Sequence, residues 1–110
     1  MVKEIESEAL KGRLVKAEGA APLLVDIRTP AEVAQGAIPG AIHIPMHLLP
    51  LRMGELPRDQ DVVLYCRSGA RSYHACQYLL QQGFDNAVNL RGGIIAWARH
   101  GYEIGRLDAS

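Results

Sequence analysis

Two short segments of the sequence, L-L-V-D-I at 23–27 and D-V-V-L-Y at 61–65, are almost continuously apolar. A strand with one face in solvent alternates apolar and polar residues, whereas a strand covered on both faces of a parallel sheet does not. We therefore predict that both segments are central strands covered by helices. The shorter runs at 41–44 and 87–90 predict two more strands, and residues 2–5 predict a short edge strand, which makes about five.

Helical signals separate the predicted strands. Ser7 is predicted to cap a helix that runs to about Ala17, with Gly19 just past its end. The tetrapeptide T-P-A-E at 29–32 combines a capping box with proline at the first helical position. It predicts a short helix that stops near Gly36.

In the second half of the chain, helices and a connection are again predicted between the strands. Residues 45–58 contain three prolines and predict a connection with a brief helical turn. A longer helix is predicted from near Ser72 to just before Gly83, and a last helix from Gly92-Gly93 to Gly101. The alternation of strands and helices predicts an α/β domain over 1–110, in three layers, with a central, mostly parallel sheet and helices on both faces.

Composition narrows the classes of partner. Among 110 residues, 12 Lys and Arg balance 12 Asp and Glu, so no broad field attracts nucleic acid or a membrane surface. No apolar run approaches the ~20 residues of a transmembrane helix. The acidic N-terminus M-V-K-E-I-E-S-E is unlike a secretory leader, so we expect a cytoplasmic location and two reduced cysteines.

The segment C-R-S-G-A-R, residues 66–71, follows one of the predicted central strands directly. Open α/β sheets hold their sites at this edge. Gly69 can adopt backbone angles that turn successive amide N–H groups inward as a nest for an anion. Because the positive end of the following helix stabilises a thiolate, Cys66 is the predicted catalytic nucleophile, whereas a merely structural cysteine needs no such loop.

Two arginines add positive charge to this loop. We expect Arg67 and Arg71 to be locally unmatched, because the loop contains no acid, and to suit a small oxyanion of sulfur or phosphorus. The predicted substrate-binding residues are Arg67, Ser68, Gly69, Ala70 and Arg71.

Four blocks of the chain, in this order and spanning nearly its whole length, resemble a single-domain rhodanese, a sulfurtransferase of the thiosulfate:cyanide type. The chain departs from the family's usual pattern at Ala37, where His is common, and at Val33, where an aromatic is common. The blocks are L-L-V-D-I-R-T-P-A-E at 23–32, G-A-I-P-G-A-I-H-I-P at 36–45, Y-C-R-S-G-A-R-S at 65–72 and G-G-I-I-A-W at 92–97.

The resemblance implies a rhodanese-like fold and a ping-pong reaction. The Cys66 thiolate would take a sulfane sulfur from a small anionic donor, and the persulfide would pass it to cyanide in an assay or to a thiol or protein acceptor in the cell. No metal and no organic cofactor is expected. Thiosulfate, a polysulfide, glutathione persulfide and a protein persulfide all stay open as donors.

Two alternatives use the same fold. The first is a phosphatase or arsenate reductase; in the phosphatase signature five residues separate the cysteine from the arginine, whereas four separate Cys66 from Arg71. The tighter loop fits one sulfur better than a tetrahedral phosphate. Non-catalytic rhodanese-like modules that bind proteins typically replace the cysteine, which is present in this chain.

The remaining chemically interesting residues favour structural roles. Cys76 lies on the apolar helix face with Leu79 and Leu80 and is interpreted as a core thiol. His74 is interpreted as a solvated helix residue. Trp97 and Ile94 are assigned to the core.

Two further pairs lie near predicted strand ends. Asp26 and Arg28 match a family Asp-x-Arg that we interpret as organising the loops. His43 and His47 have a spacing that can bind metal on a helix, but Pro45 between them and the lack of a third ligand argue against a site.

Overall fold

The computed structural model describes residues 1–16 and 21–107 and contains one five-stranded sheet. The strands are β1 (Lys3–Ile5), β2 (Leu23–Asp26), β3 (Ile42–His43), β4 (Val62–Tyr65) and β5 (Ala87–Leu90). All neighbouring strands run parallel, in the order β1-β5-β4-β2-β3. The predicted α/β fold with a central sheet of five strands is confirmed.

Helices cover both faces of the sheet. Two 3-10 turns, Met46–Leu48 and Met53–Glu55, flank the short helix Leu49–Arg52, so residues 45–58 are more helical than predicted. Among the residues described, no helix combines the length and apolar character that a membrane crossing requires. The helices are α1 (Ser7–Val15), α2 (Pro30–Ala34), α3 (Leu49–Arg52), α4 (Ala70–Gln81) and α5 (Gly93–Arg99).

The central strand β4 shows why its sequence is continuously apolar. Val62 and Leu64 pack into the core on the α4 side, together with Cys76 and Leu79. The two alternate residues of β4 pack on the other side against α1 and α5. Because successive strand residues point to opposite faces, a strand between two helical layers needs apolar residues at every position.

Two predicted helix starts are wrong by one or two residues. Glu6, not Ser7, occupies the cap position of α1, and α1 ends at Val15; residues 17 and 19, predicted for its end, lie outside the described part of the chain. Helix α4 begins at Ala70 rather than Ser72, because Gly69 caps it in a left-handed conformation with φ of 100°.

The capping box predicted for α2 is present. The Thr29 hydroxyl accepts a hydrogen bond from the Glu32 amide at 3.3 Å, and the Thr29 amide donates to Glu32 Oε1 at 3.1 Å. Pro30 is the first helical residue, where its missing N–H is not needed. These contacts start the helix directly after β2 and hold the Glu32 side chain in place.

We predict that Thr29→Ala lowers the free energy of unfolding by about 1 kcal/mol, because the Glu32 amide at the start of α2 loses the hydroxyl that accepts its hydrogen bond. Thr29→Ser keeps the hydroxyl and should retain most of that stability. Urea denaturation of the three proteins measures the difference. Equal losses for Ala and Ser would show that the hydroxyl does not stabilise the helix.

Candidate active site

The loop 66–71 is held from outside by the start of α5. The Ile94 amide donates to the Cys66 carbonyl at 3.0 Å, and the Ile95 amide donates to the Arg67 carbonyl at 3.1 Å. A Cβ at Gly93 would lie 2.4 Å from the Arg67 carbonyl oxygen and 2.6 Å from that of Cys66. Only glycine allows this approach, so Gly93, the second glycine of G-G-I-I-A-W, both begins α5 and lets α5 pack against the loop.

The sulfur of Cys66 lies within the curl of the loop. The Gly69 amide donates to it at 3.1 Å and the Ser72 amide at 3.5 Å. The Ser72 hydroxyl is 3.4 Å from the same sulfur. The predicted nest of inward-facing donors is therefore present, and it surrounds the sulfur of a residue that is only 1% exposed.

Opposing effects act on the Cys66 thiol. Burial raises its pKa, but hydrogen bonds from the Ser72 side chain and from the amides of Ser72, Gly69 and Ser68 outweigh burial and hold the pKa below its ordinary value. Each of these donors favours the negatively charged sulfur. A thiolate is the nucleophilic form of any cysteine, so these donors favour the more reactive form of Cys66.

The Ser72 hydroxyl has three acceptors and one proton. Its oxygen lies 2.5 Å from Asn89 Oδ1, 3.3 Å from the Gly69 carbonyl and 3.4 Å from Cys66 Sγ. A single O–H donates to one of these acceptors at a time. The hydroxyl can therefore donate its hydrogen bond to the sulfur when Cys66 is a thiolate, and to Asn89 Oδ1 when Cys66 is a neutral thiol.

Asn89 is held from its other side. Its amide nitrogen donates to Glu4 Oε2 at 2.9 Å and to the Gly69 carbonyl at 3.2 Å. Asn89 and Glu4 are register partners in β5 and β1. Neither Ser72 nor Asn89 is among the site residues predicted from the sequence; the available signal was the polar Asn89 inside the buried strand A-V-N-L.

The expectation that Arg71 is unmatched is wrong. Its guanidinium makes a bidentate pair with Glu32, with nitrogen to oxygen distances of 2.9 and 2.8 Å. The bond from Arg71 lowers the pKa of Glu32 to about 2. Loop sequence alone could not show this, because Glu32 is contributed by α2, which follows the neighbouring strand β2.

The other loop residues lie at its rim. Arg67 is exposed and, within the described ranges, forms no ion pair. Ser68 and Ala70 are also exposed, whereas Gly69 is buried beneath them. Of the predicted residues, Ser68 and Gly69 direct their amides at the Cys66 sulfur, Arg71 instead pairs with Glu32, and Arg67 places its guanidinium at the surface.

Asp26 and Arg28 form a buried ion pair at 2.6 Å. Arg28 also donates to the Gly36 carbonyl at 2.7 Å, which ties the end of α2 to β2. This agrees with their predicted structural role. The ring of His43 lies 2.7 Å from the Arg28 carbonyl, while His47 is exposed.

Three residues have the structural surroundings predicted for them. Cys76 is fully buried in the core on the α4 side, and burial, together with the nearby charges of Glu4 and Cys66, raises its pKa to about 12. His74 is exposed on α4. Trp97 is 2% exposed in the opposite core layer.

Known proteins match nearly the whole chain. The family profile described as Rhodanese-like domain matches residues 7–100. A protein of Allochromatium vinosum named Sulfurtransferase is 66% identical over 104 residues, which are 94% of this chain and 95% of that protein. A rhodanese-related protein from Thermoplasma volcanium has a TM-score of 0.84 at 31% identity, covering 94% of this chain and 97% of that one. A rhodanese-like domain protein from Staphylococcus aureus has a TM-score of 0.82 at 32% identity, covering 97% and 100%.

We predict that Ser72→Ala raises the pKa of Cys66, because the variant loses a hydrogen bond that favours the thiolate. The rate of Cys66 alkylation by iodoacetamide, followed against pH, should shift to higher pH. Ser72→Thr keeps a hydroxyl and serves as the control. An unchanged profile in the Ala variant would show that the loop amides alone set the pKa.

We predict that Cys76→Ala lowers stability by on the order of 1 kcal/mol, because removing a buried thiol leaves a small cavity. Thermal denaturation measures this loss. The alkylation rate of Cys66 should stay at the wild-type value. A slower alkylation with unchanged thermal stability would instead assign Cys76 to the site.

Proposed function

The chain belongs to the rhodanese-like domain family, and on this basis we propose that it is a sulfurtransferase that carries a sulfane sulfur on Cys66. The observation that carries the proposal is the set of hydrogen-bond donors around one buried sulfur. Such a set stabilises negative charge at a fixed position. The sulfurtransferase name of a protein 66% identical to this one supports the same activity.

The first half of the reaction loads the cysteine. The Cys66 thiolate attacks the outer, sulfane sulfur of a donor such as thiosulfate or a persulfide. A bond forms between Cys66 Sγ and that sulfur, while the bond from the sulfur to the rest of the donor breaks. The departing group keeps the electron pair, so thiosulfate leaves as sulfite and Cys66 becomes a persulfide.

The second half of the reaction removes the sulfur from Cys66. A thiolate of a small molecule or protein, or cyanide in an assay, attacks the outer sulfur of the persulfide. The Cys66 thiolate leaves with its electron pair and is ready for another donor. Neither half requires an external oxidant or reductant, and no cofactor is needed for the balance.

Each loop residue has a proposed role in these steps. The amides of Ser68, Gly69 and Ala70 bind the negative charge of the donor or of the outer persulfide sulfur. Because the loop has so few residues, it encloses only a small charged group. Arg67, exposed at the rim, attracts the anionic donor. Arg71 holds the loop against α2 through its pair with Glu32.

A phosphatase activity is the main alternative. A phosphatase of this type needs its loop arginine on the phosphate, whereas both terminal nitrogens of Arg71 contact Glu32. The loop itself also contains no carboxylic acid to protonate a leaving alcohol. Both features favour transfer of sulfur over hydrolysis of a phosphate ester.

We predict that incubation with thiosulfate adds one sulfur atom to the intact protein, seen by mass spectrometry, and that cyanide removes it as thiocyanate. Cys66→Ser should fold normally and gain no sulfur, because an alcohol does not form a persulfide. Cys76→Ser is the matched control and should still be loaded. Failure to load the wild-type protein from thiosulfate, polysulfide and glutathione persulfide, together with turnover of p-nitrophenyl phosphate, would favour the phosphatase.

A further inference from the structure

Glu32 brings a negative charge to the mouth of a loop that is otherwise cationic. Its two carboxylate oxygens contact the two terminal nitrogens of Arg71. On its other side, Oε1 accepts from the amide of Thr29 and lies 3.1 Å from the Thr29 hydroxyl. The carboxylate is therefore fixed by α2 and does not depend on Arg71 alone for its position.

The pair of Arg71 with Glu32 changes the net charge around an incoming sulfur donor. Arg67 and Arg71 carry one positive charge each, and Glu32 offsets one of them, while Cys66 contributes a negative charge when it is a thiolate. The bond to Glu32 and the charges of Glu32, Cys66 and Asp26 raise the pKa of Arg71, so its guanidinium lies within a group of anions. A dianion entering this site adds two further negative charges beside them.

Donors of different charge make different demands on the loop. A singly charged donor can be bound by the loop amides and by the exposed Arg67. A doubly charged donor needs a second cation, and Arg71 can supply it only by giving up at least part of its bidentate contact with Glu32. That contact is partly buried, with 41% of the Arg71 side chain and 28% of the Glu32 side chain exposed.

We propose that Glu32 determines donor specificity, by neutralising Arg71 so that the site favours singly charged sulfane sulfur donors, such as persulfides and thiosulfonates, over the thiosulfate dianion. This inference rests on the proposed sulfurtransferase function. Glu32 thereby has two roles, one in the capping box of α2 and one as the counter-charge of Arg71 at the start of α4.

Two donors of similar chemistry separate charge from other effects. Thiosulfate and methanethiosulfonate both present an outer sulfur to the Cys66 thiolate, and both release it by cleavage of a bond to a second sulfur. Sulfite leaves in the first case and methanesulfinate in the second, each with the electron pair. The ratio of kcat/KM for the two donors, with cyanide as acceptor, therefore reports on the difference in donor charge.

Glu32→Gln should shift this ratio toward thiosulfate by about fivefold at low salt, because one negative charge is removed close to the bound donor. The shift should shrink as salt is added. Glutamine is also accepted at this position of a capping box, so α2 should form. Asp59→Asn removes the same charge from an exposed residue before β4, at the sheet edge opposite Cys66, and should leave the ratio unchanged.

Arg71→Ala provides a test of opposite sign. It leaves the Glu32 carboxylate without its partner, so the ratio should move away from thiosulfate, and the double variant with Glu32→Gln should return toward the wild-type ratio. A ratio that stays constant in Glu32→Gln while both activities fall would overturn the inference and leave Glu32 as a structural support. If the wild-type protein takes sulfur from neither donor, the proposed function itself is wrong and this inference is wrong with it.

Discussion

The hydrogen bonds from the backbone to the sulfur of Cys66 are the interaction on which the rest of the site depends. They require the chain to turn back at Gly69 with a positive φ, so that the amides of residues 69 and 72 meet the sulfur left at the end of β4. They also require α5 to approach the loop from outside, which only Gly93 permits. Two glycines thus turn an ordinary strand-to-helix connection into a binding site for negative charge.

Sheet order explains the charges around that sulfur. Strands β2 and β4 are neighbours and run parallel, so the loops that follow them lie side by side at the same edge. Glu32 and Arg71 meet there although 39 positions separate them in the chain. The buried Asp26–Arg28 pair anchors the β2 loop through the Gly36 carbonyl. The counter-charge of the active loop is consequently a property of the fold, contributed by a different helix.

Local patterns predicted much of this architecture. Continuous apolar runs identified β2 and β4, and the capping box at Thr29 identified the start of α2, because each signal lies within a few consecutive residues. Where contacts are distant, local patterns failed. The pairing of Arg71 with Glu32 and the contact of Ser72 with Asn89 depend on which strands are neighbours. Helix α4 begins two residues earlier than predicted because Gly69, rather than a residue with a polar side chain, occupies its cap position. Cys66 could be proposed as the nucleophile from its position after a central strand, whereas the side chains that contact its sulfur could not be predicted.

The most direct test of this account is the ionisation of Cys66 itself. Ultraviolet titration of the thiolate, taken as the difference between the wild-type protein and Cys66→Ser, measures the pKa of this one thiol, since burial keeps Cys76 neutral. We predict a pKa below that of an unperturbed cysteine thiol, because the donors of residues 68, 69 and 72 outweigh burial. A pKa at or above that value would show that burial dominates, and would contradict the claim that the loop is built to hold a negatively charged sulfur.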